Sequence, residues 1–505
     1  MKETTTIRAE LEQYIRREGI TISKFGENTG INAGTISAII NGNRPIAMLL
    51  LDRIAAGMGL EEGSLYELYI EEFIRNSAPN WRRVRPFLYR CAELNKLDCI
   101  EQVVEFMMDY LIYAPALFET AEELFRKGKF AAAAIIYKNV SESEKYQHSE
   151  RLALCQYRLF TIAVGDDQDE NLWAATHFES FVDRLGEVDQ LDALKDLANT
   201  YVSLRRWDKV DALADKMCRR AKVQYDQKYG KTRKTERDKQ TKGPLFMYIV
   251  YSYVLRAGIC DERGDYEKAL EYVSLYADLS WVQEDTEEAR RLKEQCSNWA
   301  EANGYLYQLM SGKLDVIPQY VAYLERNEGE ILMGLFKIML AANRYEFNVD
   351  DVLQRFEKQI AAFADHHTKV GTYTEQVSAD LYARFLAELA CYDLDNKRYA
   401  KGMKFLLESL SYSVVLNGNP VTIKCVGLFE KFRHTASPEE TEEYKNLLRE
   451  VDHFNDKKRS FFFLLAFNFF IILNSSPIAP PVEDPSGAHS HGMGGWSFSS
   501  RDTSA

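Results

Sequence analysis

Proline is scarce in this chain, with 12 prolines among 505 residues and several of them in the last thirty. Because proline breaks the hydrogen-bond ladder of a helix, the long proline-poor stretches favour helix. The eight cysteines occur singly and never as a C-x-x-C pair, which predicts reduced thiols and no zinc site. His366 and His367 are adjacent, which is poor spacing for two metal ligands on one helix face, so we interpret them as a loop or a helix end. We expect no metal and no other cofactor.

The sequence also lacks the motifs of the common enzyme classes. It contains no glycine-rich phosphate loop, no H-E-x-x-H, no G-x-S-x-G and no cluster of histidines and cysteines. We therefore expect a protein that is not an enzyme, and we predict no catalytic residue. Residues 1–12 are polar and charged, so we expect no secretory signal peptide there and predict a cytoplasmic location.

Charge limits the kind of partner. The formal net charge of -13 argues against a general polyanion binder, so any contact with nucleic acid must be local. The first fifty residues are close to neutral, with six Lys/Arg and five Asp/Glu, unlike the acidic remainder. The chain is too long for one compact core, which predicts several domains or an elongated repeat array.

Residues 1–70 show the spacing of a small helical domain. Apolar residues recur at helical intervals over residues 7–15 and predict a first helix. Thr21 predicts the N-cap of a second helix over 22–28, with Phe25 facing the core. Gly30 then supplies the backbone freedom for a sharp turn.

Two further helices are predicted in the same domain. Ile31 is expected to fill the core below the turn, and Asn32 is the predicted N-cap of a third helix over 33–41. The sequence N-G-N-R-P at 41–45 ends that helix. A fourth helix follows, and its predicted buried stripe is Leu49, Leu50, Ile54 and Met58.

This order of helices resembles the helix-turn-helix domain of the phage-repressor and Xre class over about residues 7–60. In that class the third helix enters the major groove and the end of the second contacts phosphate. The residues that carry the resemblance are Gly30, Ile31, Thr35, Ile36, Ser37, Ile39, Asn41, Gly42 and Arg44. The implied base-facing residues are Asn32, Ala33, Gly34, Thr35, Ser37 and Ala38, and the implied backbone-facing residues are Thr21, Lys24, Asn41, Asn43 and Arg44.

The domain departs from that class at two positions. Ile22 stands where the class usually has glutamine, and Ala33 stands where arginine is frequent. Bidentate contact with guanine requires Arg or Lys, and the third helix has neither. We therefore expect modest affinity for each head and a homodimer that places two heads on two half-sites of promoter DNA. The alternative is a four-helix domain that has lost DNA binding and serves dimerisation.

A linker is predicted over 71–90, followed by a repeat array over 91–455. The array shows a helix that ends in G-x-Y/F, then a second helix with a small residue three positions later. Clear copies begin at Gly128 and Gly264, and weaker copies begin at Arg205, Gly312 and Lys397. This pattern is typical of tetratricopeptide repeats, so the predicted fold class is all-α, a helix-turn-helix head followed by an α-solenoid.

The first helix of each pair in such an array lines a concave wall that binds extended peptides. Asn199 is the most suggestive position, because its amide can give and accept a hydrogen bond with a peptide backbone. The alternative at each position is an exposed polar residue without a ligand. Counting back from each turn, the predicted peptide-binding residues are Phe118, Glu122, Lys195, Asn199, Ser203, Tyr251 and Glu262.

Residues 219–242 are unusually basic, with ten Lys/Arg and three acids. We interpret them as a solvated helix extension and loop within the array. The alternative is a surface that binds DNA or an acidic partner.

The combination of head and array resembles the peptide-pheromone receptors of Gram-positive bacteria and their phages. This superfamily includes the Rap, NprR, PlcR, PrgX and Rgg proteins and the arbitrium receptor. The resemblance implies a homodimer that binds a short signalling peptide in the concave groove, and a change in the spacing of the two heads on promoter DNA when the peptide binds. The alternative is a Rap-like protein that sequesters a response regulator and uses the head for assembly.

The composition changes at 456–505. A basic cluster at 457–459 precedes a nearly unbroken apolar run at 460–473 and a tail rich in Pro, Gly, Ser and His. Three interpretations compete: a terminal helix that caps the solenoid, a membrane anchor that is shorter than the ~20 residues needed to span, and a pheromone precursor fused to its receptor. In the third, part of 475–505 occupies the receptor's own groove, and the candidate ligand residues are Gly492, Trp496 and Phe498.

Overall fold

The computed structural model of the chain describes residues 6–76, 79–146, 149–165, 168–230, 241–365, 375–415 and 419–457. Within these ranges the regular elements are helices, and no strand occurs among them. The predicted all-α fold class is confirmed. The described part of the chain divides into two compact units, Met1–Ala163 with Ser180–Gly186 and Val164–Glu179 with Glu187–Ala505, called here the first and the second unit.

The first unit begins with the predicted head. Its second and third helices end within one residue of the predicted positions. The helices of this unit are α1 (Ile7–Arg17), α2 (Ile22–Thr29), α3 (Ala33–Ile40), α4 (Met48–Gly57), α5 (Tyr66–Tyr69, continued by the π-helical turn Ile70–Arg75), α6 (Trp81–Glu93), α7 (Leu97–Met108), α8 (Ala114–Arg126), α9 (Phe130–Ser143) and α10 (Glu150–Ala163).

The buried face of α4 differs from the prediction. Leu49 is 65% exposed, whereas Leu51, Ile54 and Ala55 are buried. The spacing of these three residues is i, i+3, i+4, which forms one face, and Leu49 points about 200° away from Leu51 around the helix. Leu50 and Met58 are partly buried against the same core.

Residues 71–90, predicted as a linker, are mostly helical. The π-helical turn buries Phe73 and Ile74, and α6 buries Phe87 and Leu88. These apolar residues pack into one hydrophobic cluster that extends from Ile7 in the head to Cys155 in α10. The head is therefore continuous with the first helix pairs in its packing.

The second unit consists of longer helices. Residues Glu328–Glu330 and two other short segments form 3-10 turns between them. The helices are α11 (Gln168–Glu179), α12 (Glu187–Ser203), α13 (Trp207–Tyr229), α14 (Leu245–Arg263), α15 (Tyr266–Ala277), α16 (Glu287–Met310), α17 (Ile317–Arg326), α18 (Ile331–Tyr345), α19 (Asp350–Arg355), α20 (Glu357–Asp365), α21 (Glu375–Asp395), α22 (Tyr399–Val415), α23 (Asn419–Phe432) and α24 (Pro438–Lys457).

The five predicted turns between paired helices share one backbone form. Each has a residue with positive φ, at Gly128, Gly264, Gly312, Arg205 and Lys397. The next amide donates to the carbonyl five residues earlier, as in Lys129 N–H to Leu124 O and Arg206 N–H to Tyr201 O, each 2.9 Å. This is the Schellman arrangement, which satisfies carbonyls at a helix end. The predicted turns are confirmed, including the two without glycine.

Another copy of this turn was not predicted. Asn95 has φ 55°, and Lys96 N–H donates to Cys91 O at 2.8 Å. It joins α7 to α6, most of which lies in the predicted linker 71–90. Asparagine tolerates the left-handed conformation better than most residues, so Asn95 was a sequence signal from which this turn could have been predicted.

The basic segment 219–242 is helical up to Tyr229, and residues 230, 241 and 242 are not helical. Helix α13 continues to Tyr229, which confirms the predicted helix extension, and Arg219 pairs with Asp215 one turn earlier. Residues 231–240 lie outside the described ranges.

Helices α12 and α14 are buried on all sides over most of their length. In α12 the residues from Gln190 to Ser203 are buried except Asp196, which is half-buried. In α14 the residues from Leu245 to Ser252 are all buried. A helix that is buried all round belongs to the interior of a unit and offers no open face to solvent.

Candidate functional site

The candidate nucleic-acid interface lies on α2 and α3 of the head. A three-residue turn joins them, and Gly30 within it has φ 64°. A Cβ at Gly26 would lie 2.5 Å from the carbonyl oxygen of Ile31, so glycine there allows the turn to pack directly on α2. Ile31 is 4% exposed and fills the core as predicted.

Both helices have capped N-termini. Thr21 Oγ1 accepts from Lys24 N–H at 3.1 Å, and Asn32 Oδ1 accepts from Gly34 N–H at 2.8 Å. Both predicted N-caps are confirmed. Each cap fixes a helix start whose remaining amides carry partial positive charge, which favours nearby phosphate.

The outward face of α3 consists of small side chains. Asn32 and Gly34 are exposed, whereas Ala33 is half-buried, as are Thr35, Ser37 and Ala38. The inward face is Ile36 and Ile39, both fully buried. No residue of α3 carries a charge. A groove of DNA could therefore approach the backbone of α3 closely without meeting a carboxylate.

The predicted backbone-contacting residues surround this face. Arg44 Nη1 donates to Thr35 Oγ1 at 3.2 Å, and Asn41 Nδ2 donates to Ser37 Oγ at 3.3 Å, so predicted base-facing and backbone-facing residues lie side by side. Asn43 is exposed beside them. Lys24, in contrast, pairs with Glu27 on its own helix at 3.1 Å.

Arg53 was missed in the sequence interpretation. This exposed side chain on α4 donates from Nη1 to Gly30 O at 3.3 Å, which places a cation beside the turn between α2 and α3. Twenty-three residues separate the partners. No local pattern could have revealed this contact, because it depends on how α4 packs against α2.

Contacts with α6 hold the head in place. Arg90 donates from Nε to Asp52 at 2.9 Å and from Nη2 to Glu62 at 2.7 Å. Tyr66 also donates to Asp52, at 2.8 Å. Because Arg90 is on α6 and its partners are in or next to the head helices, these bonds reinforce the shared hydrophobic core.

Two predicted peptide-binding residues lie in the first unit, on α8. The Phe118 ring packs against that of Tyr137 at 6.2 Å between centroids. Glu122 accepts from Tyr137 Oη at 2.6 Å and from Arg158 at 2.8 and 3.0 Å. Burial raises the pKa of Glu122, but the bonds from Arg158 and Tyr137 outweigh burial, so its pKa is lowered overall. Both residues are thus engaged with neighbouring helices.

The other five predicted peptide-binding residues lie in the second unit. Asn199 and Tyr251 are 3% and 2% exposed, and Tyr251 Oη donates to Asn199 Oδ1 at 2.6 Å. Lys195 and Ser203 are also buried, and Ser203 Oγ donates to Thr200 O at 2.7 Å. Only Glu262, among these five, is exposed. The Asn199 amide oxygen is therefore already bonded within the second unit, and its predicted contact with a peptide backbone stays a prediction.

A second tyrosine of α14 also donates a hydrogen bond to a residue of α12. Tyr248 Oη donates to Asp192 Oδ1 at 2.5 Å, again from α14 to α12. Burial raises the pKa of Asp192 above its ordinary value. Asp192 and Asn199 thus form a polar seam between two buried helices, which we call the α12–α14 seam.

Several sequence-based predictions concern residues outside the described ranges. They are His366 and His367, the apolar run 460–473, and the candidate ligand residues Gly492, Trp496 and Phe498. Within the described residues, no group of three or more His, Cys, Asp or Glu could hold a metal ion. In the same part of the chain, no helix is both long and apolar enough to cross a membrane.

Comparison with known proteins gives no match, either to a family model or to a curated protein.

Proposed function

We propose that this protein is a DNA-binding regulator that contacts promoter DNA through the α3 face of two heads in a homodimer. One observation supports this most directly. A short capped helix presents uncharged small residues, follows a tight turn, and is bordered by Arg44 and Arg53. Such a face fits a major groove, and the flanking cations suit phosphates.

The uncharged character of α3 also supports two heads rather than one. Without Arg or Lys, each head gains little energy from base edges, because the strongest base contacts are bidentate bonds from charged or amide side chains. Two heads on adjacent half-sites would add their contributions. We further propose that a short peptide, supplied separately or from 475–505, regulates binding, as the resemblance to pheromone receptors implies.

The α3 face can be tested with a matched pair of substitutions in the full chain. Ala38→Glu places a carboxylate on the proposed DNA face, and Ala131→Glu places one on the exposed side of α9. Binding to DNA upstream of the protein's own gene would be measured by fluorescence anisotropy. We expect Ala38→Glu to weaken binding at least tenfold, about 1.4 kcal/mol, and Ala131→Glu to change it much less.

Two results would contradict this proposal. If both variants bind as the wild type does, α3 does not contact DNA. If the wild type binds no upstream fragment at low salt, the head serves assembly, and sequestration of a response regulator becomes the better proposal. A chain ending at Lys457, measured with and without a synthetic 475–505 peptide, tests peptide regulation separately.

A further inference from the structure

Two buried cysteines lie on either side of the turn that joins α6 to α7. Cys91 is on α6 and fully buried, and Cys99 is on the first turn of α7 and 5% exposed. Each thiol is close enough to the other to influence its pKa, and both cysteines belong to one hydrophobic cluster. The turn is the compact one at Asn95, so the chain itself keeps the two sulfurs together.

Cys99 lines a cavity of 520 Å³ at this turn. Its rim is formed by exposed residues, including Glu67, Lys96 and Asp98, so the cavity opens to solvent. Cys91 does not line the cavity. A small reagent can therefore reach one thiol of the pair before the other.

The surroundings of Cys99 favour its thiolate. The hydrogen bond from Cys91 lowers the pKa of Cys99, and Lys96 adds to this, whereas burial, Glu67 and Asp98 oppose it; the pKa is lowered overall. At two other buried cysteines the effect of burial dominates, and the pKa is raised to about 12 for Cys296 and to about 11 for Cys425. Thiolates are the reactive form of cysteine.

We propose that Cys99 and Cys91 form a hydroperoxide-responsive dithiol, in which Cys99 is oxidised in the cavity and Cys91 resolves it to a disulfide. The Cys99 thiolate attacks one peroxide oxygen, the O–O bond breaks, and Cys99 sulfenic acid and hydroxide form. The Cys91 thiol then attacks the Cys99 sulfur: the S–S bond forms, the S–O bond breaks, and the Cys91 proton leaves with the hydroxide as water. Overall, two thiols and one hydrogen peroxide give one disulfide and two waters.

The position of this pair suggests what the disulfide would affect. Cys91 follows Arg90, the residue that binds Asp52 and Glu62. A bond from Cys91 to Cys99 would fix α6 against α7 next to the contacts that hold the head. The chemical step itself does not depend on the proposed DNA binding.

The test uses the full chain, reduced and then exposed to hydrogen peroxide. Free thiols are alkylated, and peptides are mapped by mass spectrometry without reduction. We expect a Cys91–Cys99 disulfide to form at least about tenfold faster than oxidation of Cys155, a buried thiol in the same unit. In Cys91→Ala, dimedone should label Cys99; in Cys99→Ser, it should not label Cys91.

The matched control is Cys155→Ala, which should leave the disulfide unchanged. Circular dichroism identifies any variant that fails to fold, and the wild-type mapping does not depend on the variants. The proposal is overturned if Cys99 in the wild type oxidises no faster than Cys155, or if it proceeds to sulfinic acid while Cys91 stays a free thiol.

Discussion

Helix α3 and helix α12 both carry small and polar side chains along one face, and the fold uses these faces in opposite ways. On α3, Asn32 and Gly34 are exposed beside an uncharged surface. On α12, Asp192 and Asn199 are 4% and 3% exposed, and both accept hydrogen bonds from tyrosines of α14. A polar face is available to a partner only where the chain has not already satisfied it.

The largest expected effect comes from breaking the α12–α14 seam. Asn199→Leu removes the acceptor of Tyr251 Oη and leaves that hydroxyl buried without its bond, so we expect a loss of about 2 kcal/mol in the free energy of unfolding. Urea titration measures it. Ser37→Ala on α3 is the control and should change stability by less than about 0.5 kcal/mol.

A double variant refines this first prediction. Adding Tyr251→Phe to Asn199→Leu removes the orphaned hydroxyl and should recover about 1 kcal/mol. Equal losses for Asn199→Leu and Ser37→Ala would show that the seam contributes no more than a surface residue.

The next effect concerns pH. Because the pKa of Asp192 is raised, the folded chain holds its proton more tightly than the unfolded chain does, so this residue makes stability fall as pH rises from about 4. Asp192→Asn keeps an oxygen for Tyr248 and removes the titration. We compare the free energy of unfolding of the variant with that of the wild type at each pH. We expect this difference to favour the variant by up to about 1 kcal/mol more at pH 7 than at pH 4.

Glu122 should make stability depend on pH in the opposite direction, so it serves as the control. Its pKa is lowered, so its contribution is present above about pH 4 and is lost as pH falls through the folded pKa. Glu122→Gln should therefore lose stability at neutral pH and flatten the acid side of the profile. Thermal unfolding at several pH values separates the two; the same slope for both variants would contradict the assignment.

The smallest effect is at the turns that follow these helices. Gly264 after α14 and Arg205 after α12 both have positive φ, as does Gly30 before α3. Alanine at Gly264 or Gly30 should cost about 1 kcal/mol, whereas Arg205→Gly should stabilise by up to about 1 kcal/mol, because only glycine adopts this conformation without strain. Denaturant midpoints compare the three; destabilisation by Arg205→Gly would contradict the shared turn form.

Local features of this fold were readable from the sequence. Thr21 and Asn32 were predicted as N-caps because each places a short acceptor side chain just before an apolar helical pattern, and both cap their helices. The turns at Arg205 and Lys397 were found from the aromatic residue two positions later, even without glycine. Each of these depends on residues within one or two turns of each other.

Burial was harder to predict, because it depends on which elements cover a helix. The spacing of Asn199 and Ser203 identified a common face of α12, but spacing does not tell whether that face meets solvent or another helix. A linker was predicted over 71–90, although Val84, Phe87 and Leu88 already had the i, i+3, i+4 spacing of a buried helix face. The contact of Arg53 with the turn at Gly30 had no local signal at all.

The ring contacts between the head and α6 decide where this chain can be cut. Tyr66 and Tyr69 pack against Phe87 at 5.2 and 5.5 Å between centroids. A fragment ending at residue 76 would expose these rings, and each lost burial costs about 1.5–3 kcal/mol. Recombination that exchanges heads between proteins would thus preserve folding only if the first helix pairs travel with them. The segment that must be inherited together is therefore larger than the head that we propose to bind DNA.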